Sequence, residues 1–208
     1  MKALVTGFDP FGGDAVNPSF EAVRRLPARI ATLEVVSAEL PTSFKRALPK
    51  LRALIKREQP DIVLCVGLAA DRAAISIEKV AVNWDEARIA DNDGAMPDKP
   101  IFARAPAAYF STLPVAAIVD ALTRAGLRAE ISMSAGTFVC NHVFYGLMHS
   151  VNRAAGTKRV LHAGFVHVPA LPDDSAACEA TLSELTDGLK IVLDVTRQRI
   201  KGNKRITT

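Results

Sequence analysis

Cys140 stands in the segment Ser134-Ala-Gly-Thr-Phe-Val-Cys-Asn-His142, where small residues and a glycine lead into an apolar, helix-length run. A thiol at a helix start meets exposed backbone N–H groups, whose partial positive charge favours thiolate over thiol. Cys140 is therefore either a nucleophile or a buried small hydrophobe. The other two cysteines read as packing: Cys65 lies inside Ile62-Val-Leu-Cys-Val66, and Cys178 among alanines of a final helix. Three widely spaced cysteines fit reduced thiols, not a disulfide framework or a zinc site.

A cysteine nucleophile needs a base, and the base an orienting group. His142 lies two positions from Cys140, about 200° around a helix, and faces away. His149 falls near the end of that helix, where a cation or donor is favoured without any catalytic role. His162 and His167 share one strand at an odd separation, so they point to opposite faces of the sheet. His167 lies nearer the C-terminal strand end, just before Pro169, where parallel sheets gather their chemistry; it is favoured over His162. For the acid, Glu78 in the alternating run Ile75-Ser-Ile-Glu-Lys-Val80 competes with Asp85, Glu86, Asp91 and Asp93.

These residues must be positioned by an alternation of strands and helices. Lys2–Thr6, Leu33–Leu40, Ile62–Val66, Ile75–Val82, Ala129–Met133 and 159–168 read as strands. Helices are expected from Pro18 onwards, from a Thr42 or Ser43 cap to about Arg57, over 115–125, from Phe138 to about Ser150, and from Ser175 to about Arg199. Gln59-Pro60-Asp61 breaks the second helix. This order predicts a three-layer α/β/α sandwich around a largely parallel, mixed sheet. One catalytic domain over 1–200 is expected, followed by a flexible basic tail at 201–208. The long polar stretch from Asn83 to Ala105 is a functional or mobile loop by its length, a lid or an oligomer contact.

The bulk composition narrows the class. The chain has 208 residues, 49% hydrophobic and 23% charged, with a formal charge of +4. Much of that excess sits between Arg197 and Arg205, without the aromatic interleaving or motif of a nucleic-acid arm. The apolar run before Asp9 is too short for a signal-peptide core, and no stretch reaches the ~18 apolar residues of a membrane span. A soluble cytoplasmic protein without nucleic-acid or membrane partners is expected. The glycine loop Gly7-Phe-Asp-Pro-Phe-Gly-Gly13 follows the first strand but lacks both the dinucleotide and the Walker spacing. Its two phenylalanines suit an apolar ring better than a phosphate.

Three segments together resemble the pyroglutamyl peptidase I (pyrrolidone-carboxylate peptidase) family: Gly7-Phe-Asp-Pro-Phe-Gly-Gly13 with Asn17-Pro-Ser19, the Cys140 segment, and Ala163-Gly-Phe-Val-His-Val-Pro169. Glu78-Lys-Val-Ala-Val-Asn83 and Ala87-Arg-Ile-Ala-Asp-Asn-Asp-Gly94 add weaker matches. The resemblance runs from Met1 to about Pro172 and implies a cysteine peptidase that removes an N-terminal pyroglutamyl residue without cofactor or metal. It implies Cys140 as nucleophile, His167 as general base and Glu78 as orienting acid. Phe8 and Phe11 would hold the pyrrolidone ring, Asn17 would support that pocket, and Arg88 would stand near the oxyanion. It further implies N-terminally pyroglutamylated peptides as substrates and a homodimer or homotetramer. One departure stands out: Leu68 occupies a position where the family commonly has glutamine near the ring. That residue alone motivates a silent binder of cyclic amides as an alternative. A nucleoside phosphorylase-like enzyme is another, on architecture only.

Overall fold

The structure, a computed structural model, describes residues 1–154, 161–172 and 175–206. Its strands are β1 (Lys2–Phe8), β2 (Arg29–Ile30), β3 (Leu33–Leu40), β4 (Ile62–Leu68), β5 (Ile75–Glu78), β6 (Val80–Val82), β7 (Asp85–Glu86), β8 (Asp98–Lys99), β9 (Ala108–Phe110), β10 (Ala129–Ser132) and β11 (His162–Val168). Its helices are α1 (Pro18–Arg24), α2 (Ala47–Glu58), α3 (Val115–Arg124), α4 (Val139–Arg153) and α5 (Ser175–Ile206).

Seven strands form the central sheet in the order β10-β5-β11-β4-β1-β3-β2. The pairs β4–β11, β1–β4, β1–β3 and β5–β10 are parallel. The pairs β5–β11 and β2–β3 are antiparallel. The runs that lie in the middle of the sheet are continuously apolar because both faces are covered. Ala3 to Phe8 and Ile62 to Gly67 are buried without a break. On one face Val5, Leu64, Val66, Ile77 and Val166 pack with residues of α1, α3 and α5. On the other, Leu4, Cys65, Ala163 and Phe165 pack with residues of α2 and α4. Each Val, Leu or Phe so buried contributes about 1.5–3 kcal/mol from surface removed from water. The architecture is the three-layer α/β/α sandwich with a mixed, mostly parallel sheet.

Several local expectations are corrected. The Thr42/Ser43 cap leads only to a turn: Ser43 Oγ accepts from Arg46 N at 3.1 Å, and α2 begins at Ala47. Gln59 ends that helix in the left-handed region, at φ 49°. The run Ile75–Val82 is two strands, because Lys79 N turns aside to Ser132 O while β6 leaves the sheet to pair with β9. The stretch 83–105 is no structureless loop: β7 pairs with β8, and its tip is bolted to the β1 and β3 ends. Asp91 accepts from the N–H groups of Phe44, Asp93 and Ala95 at 2.8–2.9 Å. Asn92 donates to Pro10 O at 2.9 Å and to Asp9 Oδ1 at 3.2 Å. Asp93 takes two bonds from Arg46 and one from Ser43, which together hold its carboxyl down at about 2. The final helix continues beyond Arg199 to Ile206; residues 159, 160, 207 and 208 lie outside the described residues. No helix among the described residues is long and apolar enough to cross a membrane.

Candidate active site

The two candidate partners of the thiol are brought together by one reversed strand. β5 runs against β11, with Ser76 opposite His167 and Glu78 opposite Phe165. Glu78 and His167 are therefore diagonal neighbours on one face, within reach of long side chains. His167 Nδ1 lies 2.7 Å from Glu78 Oε1, and both residues are buried, at 4% and 0% exposure. The carboxylate as acceptor fixes the ring with Nδ1 protonated and Nε2 free to act. Burial alone would push the Glu78 carboxyl up. The hydrogen bond and charge of His167, with Arg72 also bonded, outweigh that and hold it below the usual carboxylate range.

The same face carries the thiol. Gly67 of β4 is the register partner of His167, and a Cβ built on Gly67 would lie 2.8 Å from Cys140 Sγ. The missing side chain is the space that the sulfur occupies, which puts Cys140 directly over the strand beside His167. Cys140 and His167 line one open groove of about 930 Å³, with Leu68, Arg72, Glu86, Arg88 and Phe138 among its walls.

Cys140 is the second residue of α4, whose N-cap, Phe138, provides no side-chain cap. The turn before it needs Gly136 at φ 73°, where a β-carbon would be strained. The residues after Cys140 anchor it. Asn141 is fully buried and bonds to both backbone groups of Val82 and to Trp84 O at 2.9–3.0 Å. His142, set aside as the base by its helical phase, pairs with Asp85 at 2.8 Å. Thr137 exchanges two bonds with Glu86, at 2.9 and 3.0 Å. The helix start is thereby held on three sides. One expectation is overturned: the helix terminus does not prevail over desolvation. Burial pushes the Cys140 thiol up to about 12, with the charge of Glu78 adding to it and Arg72 opposing. The thiol thus keeps its proton until a base removes it.

Beside the sulfur lies a second, smaller cavity of about 160 Å³. Phe8, Phe11, Asn17, Thr42, Leu68, Phe138 and Cys140 line it, with Asp14, Val16 and Val139. Phe8 and Phe11 both line it as the sequence suggests. Phe138, packed 5.2 Å from Phe11, is a third aromatic wall that sequence reasoning missed, although it lay inside the Cys140 segment. Asn17 lines the cavity and has both ends of its amide engaged in the loop. Its Oδ1 accepts from Ser19 N and Oγ, capping α1, and its Nδ2 donates to Asp9 O. It is a brace for the loop that carries Phe11; such a cap is worth about 1 kcal/mol. Leu68 lines both the cavity and the groove and makes their shared wall apolar. Arg88 lines the groove but not the small cavity. His162 is on the opposite face near the Leu113–Ala117 segment, and His149 pairs with Tyr109, so neither joins the site. Cys65 is fully buried and its thiol is also pushed up to about 12, as an inert core sulfur should be.

Proteins similar to this chain are numerous. The profile of the family described as pyroglutamyl peptidase matches residues 1–196. The chain is 48% identical over 203 residues to a pyrrolidone-carboxylate peptidase of Gloeobacter violaceus, covering 95% of this chain and 97% of that one. It is 46% identical over 194 residues to one of Thermosipho melanesiensis, covering 91% and 95%. Among solved structures, pyroglutamyl peptidase I from Bacillus amyloliquefaciens superposes with a TM-score of 0.84 at 43% identity, covering 94% of each chain. Pyrrolidone carboxyl peptidase from Thermococcus litoralis gives 0.89 at 36% identity, covering 97% and 96%. With such identity along nearly its whole length, the chain belongs to the pyroglutamyl peptidase family.

Proposed function

We propose that this protein is a cysteine peptidase that removes N-terminal pyroglutamyl residues, with Cys140 as nucleophile, His167 as general base and Glu78 as the acid that orients the imidazole. The observation that carries the assignment is the buried 2.7 Å Glu78–His167 bond on the same sheet face as the Cys140 sulfur over Gly67. A pyroglutamyl group is a neutral lactam with no α-amine to grip, so recognition falls to an apolar slot with a few amide bonds. The cavity walled by Phe8, Phe11 and Phe138 supports that reading, and the open groove beyond it leaves room for the rest of the peptide.

In the proposed reaction, His167 Nε2 takes the Cys140 proton as the sulfur attacks the pyroglutamyl carbonyl. Proton transfer is coupled to attack because burial disfavours a free thiolate. The oxyanion is met by the N–H groups of the first turn of α4, which have no side-chain cap to compete for them; one such donor is worth about 3 kcal/mol. Arg88 on the groove wall adds positive charge to that region. His167 then hands the proton to the leaving amine, and water hydrolyses the thioester. Assembly as a homodimer or homotetramer belongs to the same reading. The exposed Phe110, Ile131 and Met133 are apolar surface that such contacts would cover.

The test is hydrolysis of a pyroglutamyl-coupled fluorogenic amide against the prolyl analogue, by wild type and Cys140→Ser, with and without iodoacetamide. The pyroglutamyl substrate alone should be turned over, and either the substitution or the reagent should abolish turnover. Wild-type-like rates in Cys140→Ser sink the assignment.

A further inference from the structure

Arg72 lies in the segment between β4 and β5, outside the three groups of the proposed mechanism. Its guanidinium joins one of them to the segment that leads into another. Nη1 donates to Glu78 Oε1 at 2.7 Å, and Nη2 donates to Ser134 O at 2.8 Å. Glu78 Oε1 therefore receives both Arg72 and His167, while Oε2 is buried with no hydrogen-bond partner among the described residues. Ser134 opens the turn that runs to Cys140, so one planar side chain ties the acid to the nucleophile's own loop. A fork of fixed geometry can do this; a single ammonium cannot reach both acceptors in the same way.

We infer that Arg72 is a positioning residue of the site, which clamps the Glu78 carboxylate under His167 and fixes the Ser134–Phe138 turn that presents Cys140. This rests on the triad reading proposed above. A carboxylate with no exposure to water needs compensation beyond one neutral imidazole, and Arg72 brings the only full positive charge bonded to it among the described residues. The groups that face Glu78 are His167 from β11, Cys140 from α4, Ser132 from β10 and Arg72 itself. Arg72 is among the groups that hold the Glu78 carboxyl down, so removing the cation raises the proton affinity of Glu78. Activity contributed by ionised Glu78 is present above its folded pKa and lost as pH falls through it. Raising that pKa moves the loss to higher pH.

The experiment compares Arg72→Met, Arg72→Lys, Glu78→Gln and the Arg72→Met/Glu78→Gln double variant. It measures kcat and KM on the fluorogenic pyroglutamyl amide from about pH 5 to pH 9, with thermal melting to report folding. Arg72→Met should lower kcat about tenfold with KM within about threefold, and move the acid limb up by about one pH unit. Arg72→Lys should return the acid limb and only part of kcat. In the Glu78→Gln background, Arg72→Met should cost under about twofold, because the clamp has lost its main object. An unmoved acid limb in Arg72→Met, or an undiminished Arg72 effect without Glu78, overturns the inference while leaving the triad intact. Full activity in Glu78→Gln alone overturns the triad reading and the inference with it.

Discussion

Gly67→Ala adds a single methyl at the point where the sheet meets the sulfur. The new Cβ would stand 2.8 Å from Cys140 Sγ and 2.8 Å from Phe165 Cζ, where ordinary contact begins near 3.4 Å. The shortfall is about 0.6 Å. Gly67 has no positive φ, so the backbone tolerates alanine, and the cost is steric alone. Phe165 is fully buried and packed against Phe8, Phe144 and His167, with ring centroids 4.9–6.3 Å away. The sulfur is the freer of the two neighbours and takes most of the displacement. Misplacing a reacting atom by about 1 Å costs about a hundredfold, so about 0.6 Å should lower kcat at least about tenfold. Overpacking should also lower stability by about 1–3 kcal/mol, with a fall in Tm of several degrees. The assay is kcat and KM on the fluorogenic pyroglutamyl amide, with thermal denaturation of the same preparation. A Gly67→Ala protein with wild-type kcat and Tm would refute the claim that the missing side chain makes the room for the nucleophile.

Two further outcomes follow from the site's surroundings. Asn92→Ala removes two of the bonds that hold the Asp9–Pro10 turn; KM should rise about fivefold, the equivalent of one modest hydrogen bond, with kcat within about twofold, and an unchanged KM would disconnect that latch from the ring cavity. Because burial keeps the Cys140 proton in place, the rate of Cys140 alkylation by iodoacetamide in the free protein should climb steadily from about pH 6 to about pH 9, and a plateau by pH 7 would reveal a preformed thiolate instead.

The elements were legible in the sequence where one local rule decided them. Leu33–Leu40 and the Asn17-Pro18 helix start stand as expected, because a strand-length run and a cap with proline at the first turn carry their own instructions. The parity rule separated His167 from His162 correctly, since β11 pairs with β4 in an unbroken register from His162 to Val168. What failed was non-local. The split at Lys79 depends on a bond to Ser132, some fifty positions onward. Thr42 and Ser43 read as caps, but Thr42 N is bound by Asp9 Oδ1 and the Ser43 hydroxyl by Asp93, both distant in sequence. Glu78 could not be chosen over Asp85 or Asp91 from spacing; each proves to be a buried carboxylate with its own long-range partners, and only the strand reversal sorts them. Arg72 carried no signal at all, because both of its acceptors are supplied by other elements. The thiolate expectation weighed the helix end alone: burial acts in the opposite direction and pushes the thiol up.

The reversal of β5 also has a chemical consequence for the thioester proposed above. The strand enters from the open end of the sheet, with Ser76 level with His167 and Glu78 one step deeper, level with Phe165. The acid is thus roofed by the imidazole, with no surface of its own. A carboxylate at the mouth could capture the acyl group as a mixed anhydride or compete with water for it. Set one layer down and without exposure, Glu78 would have no line of approach to the acyl carbon in the proposed mechanism, and its role there would be confined to the imidazole above it.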